Sequence, residues 1–436
     1  MFSQLHAQSR REFLSSCGAV AMVADSPRSR GSRQPQERWP SRFPALGQAI
    51  HGHTLTYLDS AATTLRPQSV IDALVDYYST DNANPAKLHE LASRAADRLS
   101  QARAAVAGFI GAADPLEVIF VRGSTEGLNL VASAGATADL NAGDEVVVSV
   151  TEHYSNLMPW TRAAERAGAV IRVADVDDEG RLTPERLSAV LSRRTKLVAF
   201  GHVSNVLGYL NPVRELTAAA KTVGAVVVVD GAQGAPHAAI NVQELGCDFY
   251  VFSGHKMLGP MGTGVVWGRR ELLDRMPPYH VGSNMAHEVS IGGAQYEHGA
   301  LKYQAGTPDV AGPVGLHAAV SFFQAAGRDA LQRHDDLLTT HGLHQLQDVP
   351  GLRLIGPASP TRRVPVFTFT LPRIGAVAVA MALDQQGIAV RAGDLAALPL
   401  LKRYGITEAV RASAYVYSTP ADLDRLAAAL RGLVGA

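Results

Sequence analysis

The sequence predicts an α/β protein built on a mainly parallel sheet with helices on both faces. Three observations lead there. Helix-sized and strand-sized segments alternate along most of the 436 residues, and the strand-sized ones are continuous β-branched runs instead of apolar–polar alternations. A strand buried on both faces has that appearance, and helical crossovers between such strands make them parallel. Third, the runs finish in polar residues, and open parallel sheets bind ligands beyond their strand carboxyl ends.

From the amino end, SRREFLSSCGAVAMVA (residues 9–24) places Arg10 and Arg11 before Phe13, Leu14 and a short, weakly apolar stretch, the pattern of a twin-arginine export signal. Export of a folded protein to the periplasm is the expectation, with a ragged extension of a cytoplasmic protein as the alternative. A basic segment rich in proline and serine follows and reads as a linker. We therefore expect a leader and linker over residues 1–40, a large domain over 41–315 whose first residues pack with the small domain, and a small α+β domain over 316–436. HELASRAADRLSQARAAVAGFIG puts Leu91, Ala95, Leu99, Val106 and Ile110 on one helical stripe. Strands are predicted at LEVIFVRG, DEVVVSV, TKLVAFGHVS, AVVVVDGAQ and CDFYVFSGHK, with RELTAAAKTVG as one of the intervening helices. Near the carboxyl end VPVFTFTL reads as a half-buried strand and VAVAMALDQQG as a helix ending at Gly387. TPADLDRLAAALRGL reads as a helix capped at Thr419, with Pro420 in its first turn and Leu423, Leu426, Leu430 and Leu433 inward.

Composition removes several classes of function. Forty basic residues balance forty acidic ones, so no global field draws the chain to nucleic acid or anionic membrane. No run of about 18 apolar residues suggests a membrane span. The two cysteines, Cys17 and Cys247, exclude a disulfide-built fold, and the histidines lack metal-ligand spacing. GPMGTG has the glycine density of a nucleotide loop but follows Lys256 instead of joining a first strand to a helix.

What remains is a constellation at the strand ends. Ser124 and Thr125 follow the first strand, His153 the second, Asn205 the third, Asp230 and Gln233 the fourth, and Ser253, His255 and Lys256 the fifth. Singly, Asp230 suits a turn cap, His153 a loop histidine and Ser124 a helix cap. Together at one crevice they suit pyridoxal phosphate: a lysine to hold the aldehyde, an acid to keep the ring nitrogen protonated, and hydroxyls with helix amides for the phosphate. Burial beside a cation lowers a lysine's pKa and frees its amine for proton transfer.

The body of the chain resembles the class V pyridoxal phosphate enzymes, and within them the SUF-type cysteine desulfurases and selenocysteine lyases. YLDSAATTLRP, FVRGSTEGLNLVA, HVSNVLG, VDGAQGAPH, CDFYVFSGHKMLGPMGTG, YQAGTPDV, GIAVRAG and VRASAYVY carry the resemblance, in family order. It implies fold type I, with a seven-stranded sheet in the large domain, and a homodimer with a shared active site and a small amino-acid substrate. It makes Lys256 the Schiff-base lysine, Asp230 the partner of the ring nitrogen, Gln233 that of the ring hydroxyl and His153 the imidazole over the ring. Thr125, Ser253 and His255 match phosphate ligands, with Ser124 beside them, and Thr307 matches one donated across the dimer. Asn205, Arg391 and Arg411 correspond to substrate-binding groups.

Two stretches depart from the pattern. In the desulfurases a mobile cysteine follows the arginine of GIAVRAGDLAALPLL; here Ala396 stands at that position. NPAKLHELA has Pro85, Ala86 and Lys87 where the family shows a histidine and arginine before glycine. Without the cysteine, three functions stay open: β-elimination from an amino acid with its own leaving group, such as a sulfinate or selenol; epimerisation or amino transfer, as in isopenicillin N epimerases; or an inactive cofactor-binding scaffold of the sulfur machinery. Asp394 reads as a solvated loop carboxylate, with an acid–base role as the alternative, and His89 and His202 as structural.

Overall fold

The computed structural model describes residues 39–134 and 140–435; the twin-arginine segment lies outside them. Seven strands form the central sheet, in the order Val118–Val121, Gly264–Gly268, Phe249–Ser253, Val226–Asp230, Thr195–Gly201, Glu145–Ser149 and Val170–Ala174. All five predicted strands are present. Two more were not predicted. Gly264–Gly268 runs antiparallel to both its neighbours, while the strands from Phe249–Ser253 to Val170–Ala174 are parallel.

The continuous apolar runs have the expected cause. Successive side chains of a strand point to opposite faces, so Val227, Val229, Tyr250 and Phe252 enter one core while Val228, Phe249 and Val251 enter another. Each fully buried aliphatic side chain contributes roughly 1.5–3 kcal/mol. One face is covered by Ser124–Ala134 and Met158–Ala167, the other by Val213–Lys221, Glu90–Ile110 and Ala311–Ala326. Glu90–Ile110 buries Ala95, Leu99, Val106 and Ile110 of its stripe. His89 caps it, its Nδ1 accepting from the Ala92 amide at 3.3 Å.

A second, antiparallel sheet takes the order Arg353–Ile355, Val366–Thr370, Ala409–Ser413 and Arg391–Gly393. Arg328–Gln347, Ala376–Asp384 and Pro420–Gly435 close its core, with Leu423, Leu426 and Leu430 of the last helix buried. At that helix start the Thr419 amide and hydroxyl donate to Asp422 at 2.7 and 2.9 Å. The cap therefore runs from aspartate back to threonine. Val366–Thr370 is not half-buried as its alternation suggests: Thr368 is fully buried, its hydroxyl donating to the Val206 carbonyl at 2.5 Å. Thr56–Tyr57, from the amino-terminal region, pairs in parallel with Ile388–Ala389. Arg38–Ala436 form one compact unit, and the expected boundary at 315/316 falls inside the helix Ala311–Ala326.

Candidate active site

The carboxyl ends of the parallel strands open on a cavity of about 540 Å³. Ser124, Thr125, His153, Asn205, Asp230, Gln233, Ser253, His255 and Lys256 all line it, together with Arg391 and Arg411 from the second sheet. Of the predicted site residues Thr307 alone does not; it is exposed, outside the cavity of its own chain.

Lys256 ends a single 3-10 turn, Gly254–Lys256, directly after Phe249–Ser253. The turn must be tight, and glycine makes it so: a Cβ on Gly254 would lie 3.0 Å from the Thr263 carbonyl oxygen, and one on Gly259 2.9 Å from Leu316. The turn is tied down through the His255 carbonyl, which accepts from the Thr64 amide at 2.9 Å. Burial pushes the Lys256 amine down to about 8; Asp230 opposes the shift and Arg411 adds to it. Burial raises Asp230, against the Ala232 amide and Lys256, which favour its carboxylate. A cation placed against Asp230 would restore its charge.

His153 is held down to about 4 by burial first and then by Lys256 and Arg411, so its ring is neutral. Its Nδ1 accepts from the Ser155 amide at 3.1 Å, which puts the ring proton on Nε2. Gln233 is anchored by its Nε2, donating to the Ala61 carbonyl at 2.6 Å. At the start of Ser124–Ala134 the Ser124 amide donates to Ser253 Oγ at 2.8 Å, and the Thr125 and Ser155 hydroxyls lie 2.8 Å apart. A helix start lined by hydroxyls in this way, at the cavity, suits an anion.

Arg411 is buried and bonds Asn205 through its Nη1 and the main-chain carbonyl at 3.1 Å, while its Nη2 lies 3.5 Å from Asp59. Its Nε has no partner. An unsatisfied, buried guanidinium nitrogen at a cavity calls for an anionic ligand. Arg391 pairs with the other oxygen of Asp59 at 2.6 Å. Asn205 donates its Nδ2 to the Leu395 carbonyl at 2.9 Å, so this amide hydrogen has a protein partner.

Two carboxylates escaped prediction. Asp59, in YLDSAATT, orients both arginines. Glu152, next to His153, is fully buried and pushed up to about 7 by that burial; it accepts from Ser149, from Asn156 Nδ2 at 2.5 Å and from the Gly201 amide at 3.1 Å. Its position one residue before His153, at a strand end, was the available signal. His202 is structural: it is buried and bonds the Tyr250 hydroxyl at 2.8 Å. No cysteine lines the cavity among the described residues. Cys247 is buried in the core, its thiol pushed up to about 12 by burial.

This donor set fits pyridoxal phosphate: an amine with a lowered pKa, a buried acid, a neutral imidazole and an anion site share one cavity. Comparison with known proteins agrees. The family model for aminotransferase class-V matches residues 56–426. A cysteine desulfurase of Dickeya dadantii is 44% identical over 398 residues, covering 91% of this chain and 96% of that one. A probable cysteine desulfurase of Streptomyces coelicolor is 44% identical over 390 residues, 88% and 93% of the two chains. Among solved structures, a cysteine desulfurase from Escherichia coli superposes with a TM-score of 0.85 at 35% identity, covering 92% of this chain and 99% of that one. The fold is thus the α/β fold of the pyridoxal phosphate transferases, and the chain belongs to the aminotransferase class-V family, as a pyridoxal-phosphate-dependent enzyme of the cysteine desulfurase group.

Proposed function

We propose that the protein is a C–S or C–Se lyase: it eliminates a sulfur or selenium leaving group from the β-carbon of an amino acid, without forming a persulfide on itself. The observation that carries this reading is the cavity wall at Ala396, which presents a methyl group while the one described cysteine, Cys247, lies in the core. Persulfide formation needs a thiolate within bonding reach of the substrate sulfur.

When bound, pyridoxal phosphate supplies the electron sink for the pair released at the α-carbon. Lys256 holds the cofactor and moves the α-proton, a task its pKa near 8 suits. Asp230 keeps the ring nitrogen protonated, His153 covers the ring as a neutral imidazole, and Gln233 meets the ring hydroxyl. Ser124, Thr125, Ser253 and His255 hold the phosphate, joined by Thr307 of a second copy in a homodimer; its exposure in the single chain supports that donation. Arg411, with its unpartnered Nε, and Arg391 receive the substrate carboxylate. The C–S electron pair leaves with sulfur, which takes up a proton; the remaining three-carbon fragment hydrolyses to pyruvate and ammonia.

The test is product analysis. Holoenzyme given L-selenocysteine or an S-alkylcysteine should release pyruvate. Given L-cysteine, alanine together with a mass-mapped protein persulfide would restore desulfuration, and a keto acid that retains the side chain would establish amino transfer. We further infer export by the twin-arginine route: a reporter that folds before transport, fused to residues 1–40, should reach the periplasm, and Arg10→Lys with Arg11→Lys should stop it. Cytoplasmic retention of the unaltered fusion would refute this.

A further inference from the structure

Leu395 and Ala396 adopt consecutive left-handed conformations, φ 53° and 54°. Each costs an L-residue roughly 1–2 kcal/mol, and such strain persists only where surrounding contacts impose it. The contacts are present. Leu395 O accepts from Asn205 Nδ2 at 2.9 Å and Ala396 O from the Tyr154 amide at 2.8 Å. The Leu395 side chain is buried against Val206, Leu207 and Leu400. Asp394, the next residue back, accepts from the Tyr154 hydroxyl at 2.7 Å and the Ala396 amide at 3.0 Å.

These restraints present one carboxylate to the cavity. Three acids line it: Glu152 and Asp230 are buried and raised, whereas Asp394 is exposed and held below its usual range by the Tyr154 hydroxyl and the Ala396 amide. Arg391, three residues away, is committed to Asp59 and does not neutralise it. With Arg411 receiving the substrate carboxylate and Lys256 the α-carbon, the wall at residues 394–396 is left for the substrate side chain.

We propose that Asp394 is a specificity residue that selects amino acids whose leaving group carries a distal ammonium and rejects those whose leaving group carries an anion. This rests on the elimination reading above and narrows its substrate class. The experiment uses holoenzyme and three thioethers of matched length: S-(2-aminoethyl)-L-cysteine, S-propyl-L-cysteine and S-(2-carboxyethyl)-L-cysteine. Affinity is read from the change in cofactor absorbance on titration, and elimination separately from pyruvate. The aminoethyl compound should bind about 10-fold more tightly than the propyl one, the scale of one charge-assisted hydrogen bond, and the carboxyethyl compound most weakly. Asp394→Asn, which still accepts from Tyr154, should bring the aminoethyl-to-propyl ratio to about 1, and Asp394→Lys should invert the order. A wild-type ratio near 1, or a ratio that Asp394→Asn leaves intact, overturns the proposal. Ordered binding without pyruvate would keep Asp394's role and refute elimination; pyruvate without charge preference would do the reverse.

Discussion

The turn carrying Lys256 and the loop carrying Ala396 line the same cavity, yet their shapes are secured in different ways. The turn relies on glycine. Gly254 and Gly259 remove side chains that would strike Thr263 and Leu316, and Thr64 holds the one left-handed non-glycine residue of SGHKMLGP, its hydroxyl accepting from the Leu258 amide at 2.9 Å. The loop has no glycine at its two left-handed residues, and Asn205 and Tyr154, from distant elements, hold it in place. One wall carries the lysine and the acid that suit pyridoxal phosphate. The other places Ala396 at the cavity, so under the elimination proposed above electron-sink chemistry and sulfur acceptance are separable parts of this site.

The largest expected effect breaks the first wall. Lys256→Ala should lower kcat by about 10²–10⁴, the usual worth of a positioned acid–base group, and should end covalent retention of the cofactor after borohydride reduction. In the wild type, peptide mapping should find the label on Lys256. Asp230→Ala should keep part of the cofactor binding but lose most activity, because the uncharged site no longer favours a protonated ring.

The same wall sets a pH dependence. With the Lys256 pKa near 8 in the cofactor-free protein, about one amine in a hundred is neutral at pH 6. Cofactor capture requires the neutral amine, so its rate should rise about tenfold per pH unit below 8 and level off above. Stability has a related sign. Between about 8 and 10.5 the folded amine has lost a proton that the unfolded one keeps. This amine's contribution to the stability of the cofactor-free protein should therefore rise with pH across that window, and below it the buried charge costs roughly 3 kcal/mol. Above about 9 the raised Cys247 thiol acts with the opposite sign, so the measurement is a difference: in denaturant titrations the stability of the wild type should gain on that of Lys256→Met as pH rises.

The second wall is sharpened by placing a thiol on it. Ala396→Cys adds a sulfur to a loop that Tyr154 and Asn205 restrain, so alone it should form no persulfide from L-cysteine. Adding Tyr154→Phe and Asp394→Ala removes the hydroxyl and carboxylate bonds of the loop while the Tyr154 amide and Asn205 stay in place, and this partial loosening should allow slow alanine formation. Efficient transfer by Ala396→Cys alone would show that the restraint is ineffective.

The contrast also explains what the sequence disclosed. Parallel strands, the converging polar ends and the lysine turn were legible because burial on two faces and tight turns leave local signatures. The direction of Gly264–Gly268 was not, since an apolar five-residue run carries no sign of which way it lies. Val170–Ala174, at the sheet edge, exposes Val170 and Val173 and so lacks the continuous apolar character of the inner strands. Thr368 reads as a surface residue until Val206 supplies its hydrogen-bond partner. Asp59 became visible as a site residue only when the fold brought it to Arg391 and Arg411, and Glu152, although next to His153 in the chain, only when its full burial and raised pKa were known. Ala396 was legible as an identity, but the strain around it was not, because its causes lie some 190 and 240 residues away along the chain.

The smallest expected effect lies outside both walls. Cys247 stands just before Phe249–Ser253, packed in the core with no exposed surface, and burial with the neighbouring Asp248 holds its thiol up at about 12. At neutral pH it is therefore protonated and a poor nucleophile. Cys247→Ala removes one buried sulfur and should cost about 1 kcal/mol, read as a small fall in Tm. Because Cys247 does not line the cavity, kcat/KM for the thioethers should stay unchanged, as should any residual sulfide release from L-cysteine. Loss of that release in a Cys247→Ala protein that still binds cofactor would mean that the strand opens to bring the thiol to the substrate, and the wall at Ala396 would no longer decide the reaction.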